Sequence, residues 1–210
     1  MHAKPLSQSL EELLGEAEGQ TALTLNQLIQ RTGGRGVYLF LILISLPFIT
    51  PIPLPGFSLI VGLIIFLAGM RMALGLPPKL PLFIGRKKIS VEHQRKILSA
   101  SIKWVKWIEK KVKPRGRDWI ANEASRRANG LLIAFLGLLL TMPLPIPFTN
   151  SGPGLAVIFI CVSLMEEDAV MIWVGYFFSV ASVVYLLALS KAVVEVFERY
   201  SETVRNFFGF

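Results

Sequence analysis

The sequence predicts an all-α, polytopic integral membrane protein, and three observations carry that class. The 210 residues are 53% apolar and only 17% charged, with a mean hydropathy of +0.57; soluble domains run at about 45–50% apolar and about 25% charged. Three stretches, 37–70, 130–165 and 169–190, carry no charge at all. The first two are broken near their centres by closely spaced prolines, which divides each into two helical pieces. Disorder is excluded, because it needs low hydrophobicity. The net charge of +8 and the pI near 9.8 would suit a nucleic-acid binder, but such chains do not carry long uncharged runs. The basic excess is therefore read as membrane topology, and no nucleic-acid partner is expected.

Residues 7–18 (SQSLEELLGEAE) are acidic and amphipathic. They lack the basic start and apolar core of a signal peptide, so this end is expected to stay in the cytoplasm. Residues 24–32 (TLNQLIQRT) predict a second short helix, with Thr24 as N-cap and Gly33-Gly34 as its stop. The block 37–70 is interrupted by Pro47, Pro51, Pro53, Pro55 and Gly56. Its pieces are short against the roughly 20 residues of a full span, so they form either re-entrant or short complete hairpins. Between 71 and 129, sixteen Lys and Arg face four Asp and Glu. Within that segment, 97–113 (ILSASIKWVKWIEKKVK) is basic and amphipathic, the pattern of a helix lying on an anionic lipid surface. Its contacts would be Lys103, Trp104, Lys106, Trp107, Lys110 and Lys111. The block 130–165 is broken at Pro143, Pro145, Pro147, Gly152, Pro153 and Gly154. Ala169–Ser190 is uncharged and free of proline, long enough for one clean transmembrane helix. Residues 191–209 predict a last amphipathic helix. The lone cysteine, Cys161, cannot form an intrachain disulfide and reads as a buried apolar residue.

Sliding the chain by 96 residues superposes the two blocks without a gap. Pro47 meets Pro143, Pro51 meets Pro147, Gly56 meets Gly152 and Gly34 meets Gly130. Prolines and glycines in register around a helix break point to an internal repeat. Arg31 and Arg35 precede the first block, and Arg126 and Arg127 the second, so both hairpins should enter from the cytoplasm, in parallel orientation. The organisation expected is 1–36 as a cytoplasmic helical N-terminus, 37–76 as the first broken-helix hairpin, 77–129 as a basic cytoplasmic segment and 130–165 as the second hairpin. The transmembrane segment follows at 166–191 and an amphipathic helix at 192–210.

The motifs LPFITPIPLPG (46–56), KLPLFIGRKKIS (79–90), MPLPIPFTNSGPG (142–154) and MEED (165–168), with LTLNQLIQRTGGRG (23–36) upstream, resemble the ExoD family of exopolysaccharide synthesis proteins. The resemblance covers about residues 9–190. It implies a bacterial inner-membrane, multi-pass protein associated with exopolysaccharide production, and it brings no established biochemical activity. Ala169 stands where the family usually has glycine, which leaves no glycine for a tight turn.

Non-helical backbone at bilayer depth is tolerated only where protein or water covers it, and paired broken helices point to a binding or permeation site. The candidate loop residues are Pro47, Thr50, Pro51, Gly56, Ser58, Pro143, Pro147, Thr149, Asn150 and Gly152. Asn150 can donate and accept at once, although an Asx turn tying down the loop is the plainer reading. Arg71, Glu166, Glu167 and Asp168 are candidate charged contacts. Arg71 reads first as a membrane-end anchor and Asp168 as a helix N-cap. No nucleophile–base pair, phosphate loop or metal-ligand spacing is present in the sequence, so no enzyme activity, cofactor or metal is expected. Two function classes remain. One is a transporter- or channel-like path for an ion or small solute at the proline loops. The other is a non-transporting assembly factor that grips anionic lipid, or polysaccharide machinery, through the basic helix. Self-association as a homodimer is compatible with either.

Overall fold

The computed structural model describes residues 5–16, 24–32, 34–50, 56–77, 79–80, 85–86, 90–112, 115–120, 122–142, 146 and 148–208; side chains are described as far as Lys191. Pro51, Pro143 and Pro147 lie outside the described residues. The fold is all-α, with no strand among the described residues.

The polar N-terminal part forms α1 (Leu6–Glu16) and α2 (Leu25–Arg31). In α1, Leu6, Leu10 and Leu13 are buried, the spacing of one helix face. That face packs on α5 (Val91–Lys111), whose Leu98, Ile102, Val105 and Ile108 are buried in turn. Glu109 of α5 accepts from the Ser7 amide at 3.0 Å and its hydroxyl at 2.6 Å, which fixes the register of the pair. The expected cap of α2 is present: the Thr24 hydroxyl accepts from the Gln27 amide, while the Gln27 side chain accepts from the Thr24 amide. Residues from α1, α2, α5 and the next helix, among them Leu10, Leu28, Leu39, Phe40 and Ile97, enclose an apolar groove.

Four helices make the apolar centre: α3 (Gly36–Ser45), α4 (Phe57–Ala73), α7 (Glu123–Thr141) and α8 (Ser151–Glu166). A short α6 (Arg117–Ile120) precedes α7. Pro47 does not end the first arm at once. It sits at the start of a 3-10 turn, Leu46–Ile49, where its missing amide costs nothing. Gly56 restarts the chain with φ +83°, a conformation suited to glycine, directly before α4.

Small residues decide how these helices meet. Gly62 of α4 lies against Gly137 and Thr141 of α7, and Gly69 lies against Gly130 and Ala134. Rising numbers on one helix meet falling numbers on the other, so α4 and α7 are antiparallel. A side chain at any of these four glycines would strike the facing backbone. Close backbone approach of this kind is how helices associate when lipid removes the hydrophobic driving force. α3 packs on α8 in the same antiparallel sense. Gly154 lies against Phe48, and the Ser151 hydroxyl reaches the Thr50 carbonyl at 3.3 Å.

α9 runs from Ala169 to Phe208 without a break. The two elements expected there, a transmembrane and an amphipathic helix, are therefore one. It is antiparallel to α8, with Gly175 against Ile160 and Ser182 against Gly152. Ala169–Lys191 is long and apolar enough to cross a membrane; Gly36–Ile49, Phe57–Ala73 and Ser151–Glu166 are shorter apolar helices. Trp173 (65% exposed), Phe177 (67%) and Val180 (63%) line the outer face of α9. Leu59, Ile60 and Leu63 of α4 and Leu131, Phe135 and Leu138 of α7 are exposed as well.

Candidate functional site

The antiparallel pairing gathers the described ends of the two proline loops, Pro47–Thr50 and Phe148–Asn150, at one end of the helical centre. Thr50 bonds back to the Pro47 carbonyl at 2.8 Å, and Thr149 to the Ile146 carbonyl at 2.6 Å, so each loop carries a hydroxyl-stabilised turn. The Ser151–Thr50 bond ties one loop to the other. Asn150 stands at the N-cap of α8, and its side chain makes no cap hydrogen bond. Phe148 takes a positive φ of 67° just before it. Ser58, in the first turn of α4, is buried, as are Thr149 and Ser151.

The structure adds residues to this end that the sequence did not single out. Ser45 is fully buried at the end of α3, and its hydroxyl has no partner. Ser182 of α9 sits against Gly152, and Ser179 is buried one turn away. Both α9 hydroxyls bond to carbonyls four residues earlier, at 2.6 and 2.8 Å, so their own helix satisfies them. Paired serines three apart inside an otherwise apolar span were the available signal.

Arg71 and the acidic triplet are not part of this cluster; they lie at the opposite end. Arg71 donates to the Pro77 carbonyl at 3.2 Å, while its Nε is buried without a partner. The three acids do three different things. Glu166 closes α8, outside the apolar run, with Oε1 buried and unpartnered. Glu167 adopts a left-handed φ of 56°, so the tight turn forms without glycine. Asp168 is buried and accepts from the Val170 amide at 2.7 Å, the expected N-cap of α9. The Ala169 amide bonds to the Arg115 carbonyl at 2.6 Å, which pins this turn to the segment after α5.

Lys103, Trp104, Lys106, Trp107, Lys110 and Lys111 all lie on the exposed side of α5. The two tryptophan rings meet edge-on at 6.3 Å. Lys106 pairs with Glu11 of α1 at 2.5 Å. Trp119 stacks on Trp173 of α9 at 6.4 Å. Among the described residues no group of three His, Cys, Asp or Glu could hold a metal ion.

The family pattern described as "Exopolysaccharide synthesis, ExoD" matches residues 6–188, from the first turn of α1 to the far part of the α9 span. The chain is 33% identical to "Protein ExoD" of Rhizobium meliloti over 190 residues, which covers 90% of this chain and 79% of that protein. It is 27% identical to an uncharacterized protein of Synechocystis over 176 residues, 83% of this chain and 82% of the relative. No solved structure matches it. The chain thus belongs to the ExoD family of exopolysaccharide synthesis proteins.

Proposed function

We propose that this protein is a multi-pass membrane protein of exopolysaccharide production. In this reading two like-oriented, re-entrant hairpins hold their proline loops inside the bilayer as a path for an ion or small solute. The observation that carries it is where α8 begins along α9. The start of α8, directly after the second loop, lies beside Ser182. The apolar span continues nine residues further, to Lys191. At 1.5 Å per residue that is about 13 Å of apolar helix beyond the loop end. If Ala169–Lys191 crosses the membrane, the loops lie well below its far surface. Helices such as α4, with 17 residues, reach only about 25 Å, less than the roughly 30 Å of a hydrocarbon core.

Two further features support the reading. Exchanging the halves of the 96-residue repeat turns α3 into the second half of α7 and α4 into α8. The α4–α7 contact then becomes the α8–α3 contact, and both are antiparallel. The buried hydroxyls of Ser45, Ser58, Thr149 and Ser151 also supply the polar lining that non-helical backbone at depth requires. In this reading the role is non-enzymatic.

The test places single cysteines at Leu54, Asn150 and Ser190 in a Cys161→Ala background and labels intact cells with a membrane-impermeant maleimide. Fast labelling at 190 with slow labelling at 54 and 150 is expected. Equally fast labelling at all three would put the loops at the surface and remove the path. With the loops labelled slowly, purified protein in liposomes should pass ions or small solutes faster than empty liposomes, and equal rates would overturn the reading.

The exposed Lys and Trp side of α5 favours a second reading, an assembly factor held on anionic lipid. Reversing Lys103, Lys106, Lys110 and Lys111 to glutamate would then abolish exopolysaccharide production, while substitutions at Thr50 and Asn150 would not.

A further inference from the structure

At the end of the helical centre opposite the proline loops lies a polar cavity of about 190 Å³. Tyr38 of α3, Met72, Gly75 and Leu76 from the end of α4, and Glu123, Arg126 and Arg127 from the start of α7 line it. We propose that this cavity binds the phosphate group of an anionic ligand, either the headgroup of a membrane lipid or a soluble phosphoester. The site is separate from the loops and stands or falls independently of the solute path.

Donors outnumber acceptors here. Arg126 bonds to the Tyr38 hydroxyl, and Arg127 pairs with Glu123 one turn back. Each guanidinium carries five N–H donors in a planar fork, more than one hydroxyl and one carboxylate can engage. A phosphate with several acceptor oxygens fits that surplus and suits bidentate contact. The cavity also opens at the first turns of a 19-residue helix, where the helix dipole favours negative charge. The backbone is shaped around the arginine as well. Gly75 adopts φ +68°, and a side chain there would meet the Arg127 guanidinium at 2.9 Å. Exposed Leu74 and Leu131 flank the region, as expected where acyl chains meet headgroups. Glu123 is the one acidic group in the lining, and it competes with any bound anion for Arg127.

That competition supplies the decisive test. The full chain in nanodiscs of neutral phosphatidylcholine is titrated with phosphatidylglycerol, inorganic phosphate and glucose 1-phosphate, and occupancy is read by native mass spectrometry. Arg126→Gln and Arg127→Gln should each weaken binding about tenfold, the loss of one charge-assisted contact. Glu123→Gln should tighten it, which a merely damaged fold would not do. Lys96→Gln, an exposed lysine of α5 paired with Glu92, should leave it unchanged. Phosphatidylglycerol binding with this ranking assigns a lipid source; glucose 1-phosphate or inorganic phosphate binding with the same ranking assigns a soluble one. Equal binding by all variants for every probe overturns the site. So does loss in Glu123→Gln alongside the arginine variants, which would mark collapse of the α7 start rather than lost anion contacts.

Discussion

Gly69 is a single residue at which the fold leaves no room for a side chain. A methyl group there would press on the Ala134 amide and the Gly130 carbonyl, which are backbone atoms and cannot rotate away. Gly69→Ala should cost about 1–3 kcal/mol, the range for overpacking, visible as a lower melting temperature in detergent. Single residues were only partly legible in the sequence. Asp168 as a cap followed from an acid before an apolar run. Glu167 in a left-handed turn did not, because glutamate has no preference for that conformation and the surrounding contacts impose it.

The junction between α8 and α9 shows how one element is held. Ser163 donates to the Asp168 carbonyl at 2.7 Å, Asp168 caps α9, and the Ala169 amide reaches Arg115. Asp168→Ala removes the cap and should cost about 1 kcal/mol. Glu167→Gly should instead gain about 0.5 kcal/mol, since glycine takes φ of +56° without a steric penalty. Opposite shifts in melting temperature check both at once; a loss in both would mean that the Glu167 side chain matters more than its backbone. Element boundaries were legible where chemistry marks them, as at Thr24 with Gln27 and at Gly56. The continuity of α9 was not. Lys191 reads as the end of an apolar segment, yet a change of composition is no helix breaker, and neither glycine nor proline follows until Gly209. The glycine faces of α4 and α7 were equally visible as letters, at 62 and 69 and at 130 and 137. Their meaning depends on which helices meet, and that is a tertiary fact.

At the scale of the whole molecule, the exposed apolar rows on α4, α7 and α9 mark a surface for lipid or for another protein. The protein should stay in the pellet when membranes are washed with alkaline carbonate; release into the supernatant would mean that these rows are covered by another protein instead. What uncharged length made legible is one helix long and apolar enough to cross a membrane, Ala169–Lys191, with the shorter apolar helices Gly36–Ile49, Phe57–Ala73 and Ser151–Glu166 beside it. The arrangement of the halves was only partly legible. Matching prolines and glycines suggested two like units, but which helix of one touches which helix of the other follows from the antiparallel glycine contacts.

The unbroken α9 has a mechanical consequence. Its 40 residues form a rod of about 60 Å, and only its first part, as far as Ser182, is held by α8. A rod clamped along one side and uninterrupted by a flexible joint transmits angle as well as position. A change of about 10° in the direction of its anchored portion sweeps the tip at Phe208 through about 10 Å over that length. The direction of the whole rod is therefore set where its first part packs on α8 and where the Ala169 amide is tied to the Arg115 carbonyl.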